Sequence, residues 1–253
     1  LSAVAKDVDL LADLVARPRA LSLITSAGDG FSMHRLVQST LRQSLAQADR
    51  RRWAADAINW VEYVLPTQVQ EHRLWSRTGR LIGHAMTAAE HGCELGVERS
   101  RTVVLLDRGA TYLATSGGLP ADIDSARTAA MKQAEQLPDG PPSWLLNNQA
   151  LWLQSRDQLG EAEKLLRHAV EAARKYEGGN SPGLGVHYAN LGALLKDQGK
   201  LDEARRMLLK AVTILDRQPA SFKGATAHSH LGQVMVELGD RPAAAGHFAA
   251  AVR

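Results

Sequence analysis

The chain has 253 residues, 45% hydrophobic but only 5% aromatic, with 30 basic and 27 acidic side chains and a formal charge of +3. This near balance, with basic residues scattered and Arg50-Arg51-Arg52 their densest run, argues against a nucleic-acid partner. No apolar stretch approaches the roughly 20 residues needed to span a bilayer, and a single cysteine, Cys93, excludes an internal disulfide and fits a reducing, cytoplasmic setting. The first residue is Leu1 and no signal-peptide pattern follows it, so the chain reads as a piece of a longer protein.

In chain order, a helix is expected over about residues 1–16. Two short apolar runs come next, Leu21-Ser22-Leu23-Ile24 and Phe31-Ser32-Met33-His34. They flank Thr25-Ser26-Ala27-Gly28-Asp29-Gly30, the pattern of a β-hairpin about an Asp-Gly turn. A second helix is expected from Arg35 to about Ala48, and a helical linker over 49–95. At 100–135 lies a degenerate copy of the units nearer the C-terminus, with Gly109, Tyr112 and Ala126 in repeat positions and Gly117-Gly118-Leu119-Pro120 as an enlarged turn.

The C-terminal part repeats itself. Gly199-Lys200-Leu201-Asp202-Glu203-Ala204 has counterparts in Gln158-Leu159-Gly160-Glu161-Ala162 and Gly239-Asp240-Arg241-Pro242-Ala243-Ala244, and Ala162, Ala204 and Ala244 are spaced by 42 and 40 residues. Such a period signals a solenoid, whose units bury their apolar faces by stacking. Helices are expected at 143–157 and 160–176, 183–198 and 201–217, and 223–238 and 241–252. In the middle unit Tyr188, Leu191, Gly192 and Leu195 share one face, and Ala204, Leu208, Ala211 and Val212 line its partner helix. Gly192 and Ala204 are small where those helices must cross. Gly199 stands where a helix ends with positive φ, and Glu177–Gly183 reads as a loop.

These positions resemble the tetratricopeptide repeat, a helix–turn–helix of about 34 residues. The slots are Leu146, Gln149-Ala150, Leu153, Ala162, Leu166 and Ala169; then Tyr188, Leu191-Gly192, Leu195, Ala204, Leu208 and Ala211; then His228, Leu231-Gly232, Met235, Ala244, Phe248 and Ala251. The longer period is similar to that of kinesin light chains and of bacterial signalling ATPases. At the other end, Phe31-Ser32-Met33-His34-Arg35-Leu36-Val37-Gln38 resembles the Met-His-Asp motif in the winged helix of NB-ARC (STAND) ATPases, with Arg35 replacing the acid. Leu74-Trp75 and Leu81-Ile82-Gly83-His84 resemble the linker that bacterial members place before their repeats.

The expected fold class is therefore all-α: a right-handed superhelix of helical hairpins, preceded by a partial winged-helix segment with one β-hairpin. The expected domains are 1–48 (end of a winged helix), 49–95 (linker) and 96–253 (about four repeats, the first degenerate). The resemblance implies a parent switch protein using ADP or ATP with Mg, in which His34 reaches the ADP phosphate and an upstream NB-ARC domain is a partner in cis. No Gly-x-x-x-x-Gly-Lys-Ser/Thr loop occurs in this sequence, so no cofactor is assigned to the chain itself.

Chemistry finds little footing. None of the nine histidines pairs at i, i+4, and His228 and His230 point apart on a helix. Cys93 lies among Glu90, His91 and Glu94, and the two glutamates are expected to raise its thiol pKa and not activate it. No nucleophile elbow or recognisable carboxylate pair is present, so catalysis and a metal site are not expected.

The repeat register instead brings Asn148, Asn190 and His230 to one slot on successive first helices, facing the concave groove in this fold. Trp144, Asn147, Gln154, Lys196, Gln233 and Glu237 are expected to border it. An amide column can bind the backbone of an extended protein or peptide, or it can bond the neighbouring repeat and bind nothing. The expected function is a peptide- or protein-binding sensor module. A DNA-binding regulator or a ligand-free scaffold are the alternatives. An apolar end face of Ala244, Phe248 and Val252 is expected on the last helix.

Overall fold

The structure is a computed structural model that describes residues 24–27, 30–33, 35–217 and 222–252. The chain divides into two compact units, Leu1–Ala57 and Ile58–Arg253. No helix among the described residues is long and apolar enough to cross a membrane.

In the first unit, strands β1 (Ile24–Ala27) and β2 (Gly30–Met33) pair antiparallel, with Ile24 opposite Met33 and Ala27 opposite Gly30. Pairing runs further toward the turn than the apolar runs suggested, and only two residues separate the strands, a length suited to a tight hairpin. The expected helix over 1–16 and residue His34 lie outside the described residues. Helix α1 (Arg35–Ser44) follows, and Gln38 Nε2 donates to the Met33 carbonyl at 2.7 Å, tying the helix start to β2. Two four-residue strands and a helix do not alone make a winged helix. Helix α2 is Gln47–Val64.

The second unit is all helical among its described residues. A 3-10 turn at His72–Leu74 leads into α3 (Trp75–Leu95), α4 (Arg99–Ser116) and α5 (Pro120–Ala134). Three further hairpins follow. They are α6 (Ser143–Ser155) with α7 (Leu159–Tyr176), α8 (Pro182–Asp197) with α9 (Leu201–Leu215), and α10 (Phe222–Glu237) with α11 (Arg241–Ala251). All six lie within about two residues of the bounds expected from periodicity. Besides the packing within hairpins, α7 meets α8, α9 meets α10, and the first helices α6, α8 and α10 touch in succession. Stacking of this kind lets each hairpin bury both faces.

Local chemistry sets the boundaries. Ser181 caps α8 by accepting from the Leu184 amide at 3.1 Å, Asp240 caps α11 by accepting from Ala243 at 3.1 Å, and Pro182 and Pro242 sit in the first turns. The three hairpin turns share one hydrogen-bond pattern. The Lys200 amide donates to Leu195 and Gly199 to Lys196; Asp240 repeats this to Met235 with Gly239 to Val236, and Gln158 to Leu153 with Asp157 to Gln154. This Schellman arrangement requires a left-handed residue after the helix. Gly199 (φ 73°) and Gly239 (φ 83°) supply it, and Asp157 (φ 61°) holds the same position without glycine's freedom.

One core runs from Ala150 through Ala244 and contains Ala162, Leu166, Ala169, Leu191, Leu195, Ala204, Leu208, Ala211 and Leu231, all buried. At Gly192 an added Cβ would lie 2.5 Å from Leu208 Cγ and 3.3 Å from the Ala204 carbonyl oxygen; at Gly232 it would meet the Phe248 ring at 2.7 Å. Helix approach thus depends on small residues in the expected slots. A second core joins Ile58, Leu65 and Val69 to Ala85, Ala89, Val103, Leu105 and Leu106. The expected end face needs one correction. Phe248 and Val252 are exposed (37% and 88%), but Ala244 is 2% exposed, because it faces its hairpin partner as Ala162 and Ala204 do.

Candidate functional site: a polar ladder across the first helices

Side chains on α4, α6, α8 and α10 form two hydrogen-bonded rows that pass from hairpin to hairpin. In the first, Asn148 Nδ2 donates to Asp107 Oδ2 at 2.9 Å, Asn147 Nδ2 lies 3.5 Å from Asn148 Oδ1, and Asn190 Nδ2 donates to Asn147 Oδ1 at 2.8 Å. In the second, Gln154 Nε2 donates to Asp197 Oδ2 at 3.1 Å, Lys196 Nζ lies 3.4 Å from Asp197 Oδ1, and Lys196 Nζ donates to Gln233 Oε1 at 3.0 Å. Most of the rungs join residues about one repeat period apart. The asparagine slot therefore bonds the adjacent repeat, one of the two roles open to it from sequence.

The first row ends on a buried charge pair. Asp107 and Arg127 have side chains 9% and 7% exposed, with Asp107 Oδ1 3.8 Å from an Arg127 terminal nitrogen. Arg127 donates to the Asn148 carbonyl at 3.3 Å. Asp107 Oδ1 and Arg127 Nε have no hydrogen-bond partner among the described residues. Burial pushes the Asp107 carboxyl up, opposed by the Asn148 hydrogen bond and by the charges of Arg127 and Arg108. Burial likewise pulls Arg127 down, opposed by Asp107 and Asp124. Trp152 closes this end. Its Nε1 donates to Asp124 Oδ1 at 2.8 Å, and the guanidinium groups of Arg127 and Arg156 lie 5.5 and 5.4 Å from its ring centre. Asp107, Arg127, Trp152 and Asp197 were not among the residues expected from sequence. Asp107 lies 41 residues before Asn148, so extending the period into the degenerate copy would have found it.

The remaining expected residues divide. His230 is partly buried with Nδ1 unpartnered among the described residues, and burial, then the nearby Lys196, lower its pKa against the pull of Asp197. Glu237 is exposed. Trp144 stands at the N-terminal end of α6, where it lines a cavity of about 450 Å³ with Leu137, Pro142, Ala172, Tyr176 and Glu177. Away from the ladder, the Cys93 thiol pKa is raised, but burial is the first cause and Glu90 and Glu94 come behind it. His228 Nε2 lies 3.1 Å from Asp216, and its Nδ1 lies 3.1 Å from His247 Nδ1, a contact between α10 and α11 that helical spacing could not reveal.

Comparison with known proteins agrees with this architecture. Residues 142–217 match the tetratricopeptide repeat family. The crystal structure of BtubC (BKLC) from P. vanneervenii is similar, with 17% identity and a TM-score of 0.60 over 83% of this chain and 91% of that one. A candidate kinesin light chain of Podosopora anserina with nearly identical TPR-like repeats has 16% identity and a TM-score of 0.54 over 80% and 93% of the two chains. At these identities the likeness concerns fold alone. No curated protein matches the chain at a significant level. The second unit is thus an all-helical, TPR-like repeat array among its described residues.

Proposed function

We propose that the chain is a non-catalytic recognition module that binds an extended protein or peptide segment along the face of α4, α6, α8 and α10. The observation that carries this reading is the continuous ladder from Asp107 through Asn148 and Asn147 to Asn190, flanked by Gln154, Asp197, Lys196 and Gln233. The rungs from Asn148 to Asp107, Asn190 to Asn147, Gln154 to Asp197 and Lys196 to Gln233 each tie two helices, so the row is rigid before any ligand arrives and loses little entropy on binding. A primary amide that gives one donor to its neighbour keeps further donor and acceptor capacity for a peptide backbone.

The test is a selection of displayed random peptides on the whole chain, followed by titration of the selected peptides against variants. Asn190→Ala and Gln233→Ala should each weaken binding by about tenfold, the worth of one or two net hydrogen bonds, with helical content unchanged. Peptides that bind both variants as well as the parent would sink the reading, and so would a selection that yields none.

A finer affiliation, to a STAND-type switch ATPase, is also proposed. It is supported by the order of hairpin β1–β2 and then α1 along the chain and by the Phe31–Gln38 string, with His34 as the ADP-phosphate contact in the parent. In the protein that includes the upstream nucleotide domain, His34→Ala should weaken ADP binding by about 10- to 150-fold, as loss of a charge-assisted hydrogen bond would. Unchanged ADP affinity by calorimetry would remove this affiliation and leave the recognition module standing.

A further inference from the structure

A second surface lies where the second helices of two hairpins flank the first helix α8, and it shares no residue with the ladder. Between α7, α8 and α9 is a cavity of about 440 Å³. Its floor is apolar, with Tyr188 and Ile214 nearly buried, and Leu209 stands at its edge, 41% exposed. Arg174 projects from the last turn of α7 and Lys210 from α9, with Lys210 Nζ 5.4 Å from the Tyr188 ring centre. No lining residue is acidic, and neither cation makes an ion pair among the described residues. At the rim Arg217 donates to Asn180 Oδ1 at 2.8 Å, adding a third positive charge. The neighbouring network pairs Arg167 and Lys200 with Glu163 and Glu203, whereas Arg174 and Lys210 stand without counter-charges among the described residues.

We propose that this cavity docks an acidic peptide segment, one apolar side chain entering beside Leu209 and Tyr188 while flanking carboxylates meet Arg174, Lys210 and Arg217. Charge complementarity selects the occupant: the cations supply steering and register, and the apolar floor supplies the anchor. A floor of this kind distinguishes an acidic peptide from a bare anion, which gains nothing from leucine or tyrosine. The surface is independent of the ladder, so the array holds two faces for two segments.

The probe is a fluorescent peptide of glutamate pairs separated by leucine, titrated against the whole chain by anisotropy. Binding should weaken as salt rises and fall by about tenfold or more in Arg174→Glu and in Lys210→Glu. Leu209→Ser should weaken it too, and Asn190→Ala should leave it unchanged. These side chains are exposed, so matching melting curves will show that the variants fold. Equal binding by Lys210→Glu would overturn the proposal. Equal competition by inorganic phosphate or by leucine-free polyglutamate would also overturn it, leaving an unspecific anion site, and stronger binding of duplex DNA would reassign the surface to a different partner. Loss in Asn190→Ala alone would place the peptide on the ladder instead.

Discussion

His187, His230 and His247 are each held below the ordinary imidazole pKa of 6.5, first of all by burial. Lys223 deepens the effect at His187, Lys196 at His230 and His228 at His247, against the opposing pull of Glu177, Asp197 and Asp216. The folded protein therefore prefers these rings neutral, and the unfolded chain binds protons that the folded one refuses. Stability is full above the unfolded value and declines as pH falls through about 6.5 toward the lowered folded values. Thermal midpoints should drop between about pH 7.5 and 5.5, and His187→Asn should flatten that slope. A midpoint constant over the interval would show that burial does not govern these rings.

At the scale of the helix, the hairpin turns and crossings carry testable energetics. Leu191 fills the space between α8 and α9 and is nearly fully buried, so Leu191→Ala should cost about 2–5 kcal/mol in denaturant melts. A loss below about half a kcal/mol, far short of a core truncation, would contradict the packing. Asp157 holds a left-handed conformation at φ 61° where its two counterparts are glycines. A non-glycine residue costs about 1–2 kcal/mol there, partly offset by the entropy glycine loses on folding. Asp157→Gly should accordingly stabilise by about 0.5–1 kcal/mol, and Gly199→Ala should destabilise. Opposite signs in those two melts would mean the turns are not equivalent.

Across the array, neighbouring hairpins are tied by charge as well as by apolar stacking. Glu163 on α7 accepts from Lys200 at 2.7 Å and from Arg167 at 2.8 Å, and Arg167 reaches Glu203 on α9 at 2.7 Å. Burial alone would raise the Glu163 pKa, but the hydrogen bonds from Lys200, Arg167 and Gln198 outweigh it and hold the carboxyl down at about 2. Its contribution is present above the unfolded value of 4.5 and is lost as pH falls from 4.5 toward 2. Glu163→Gln should remove that acid-dependent part of the stability while leaving the histidine-dependent part near pH 6.5 intact. Identical acid titrations of the two proteins would show that the network adds nothing to coupling between repeats.

The local features were legible in the sequence because their causes lie within one turn or one helix. The steps between Ala162, Ala204 and Ala244, the glycines after α8 and α10 and the spacing of Leu191, Gly192 and Leu195 foretold each hairpin to within about two residues, since helical period and cap chemistry depend only on near neighbours. The apolar runs around 24–33 pointed to paired strands but not to their pairing limits, which depend on cross-strand bonds. The same arithmetic brought Asn148 and Asn190 to one slot. It could not say that Asn190 bonds Asn147, that Asp107 and Arg127 meet beneath Asn148, or that Arg174 and Lys210 line one cavity with Tyr188. Those contacts join residues some 20–40 positions apart, and a small rotation of one hairpin on the next would exchange every partner. Sequence period determined which residues share a face; only the stacking of hairpins decided what each of them touches.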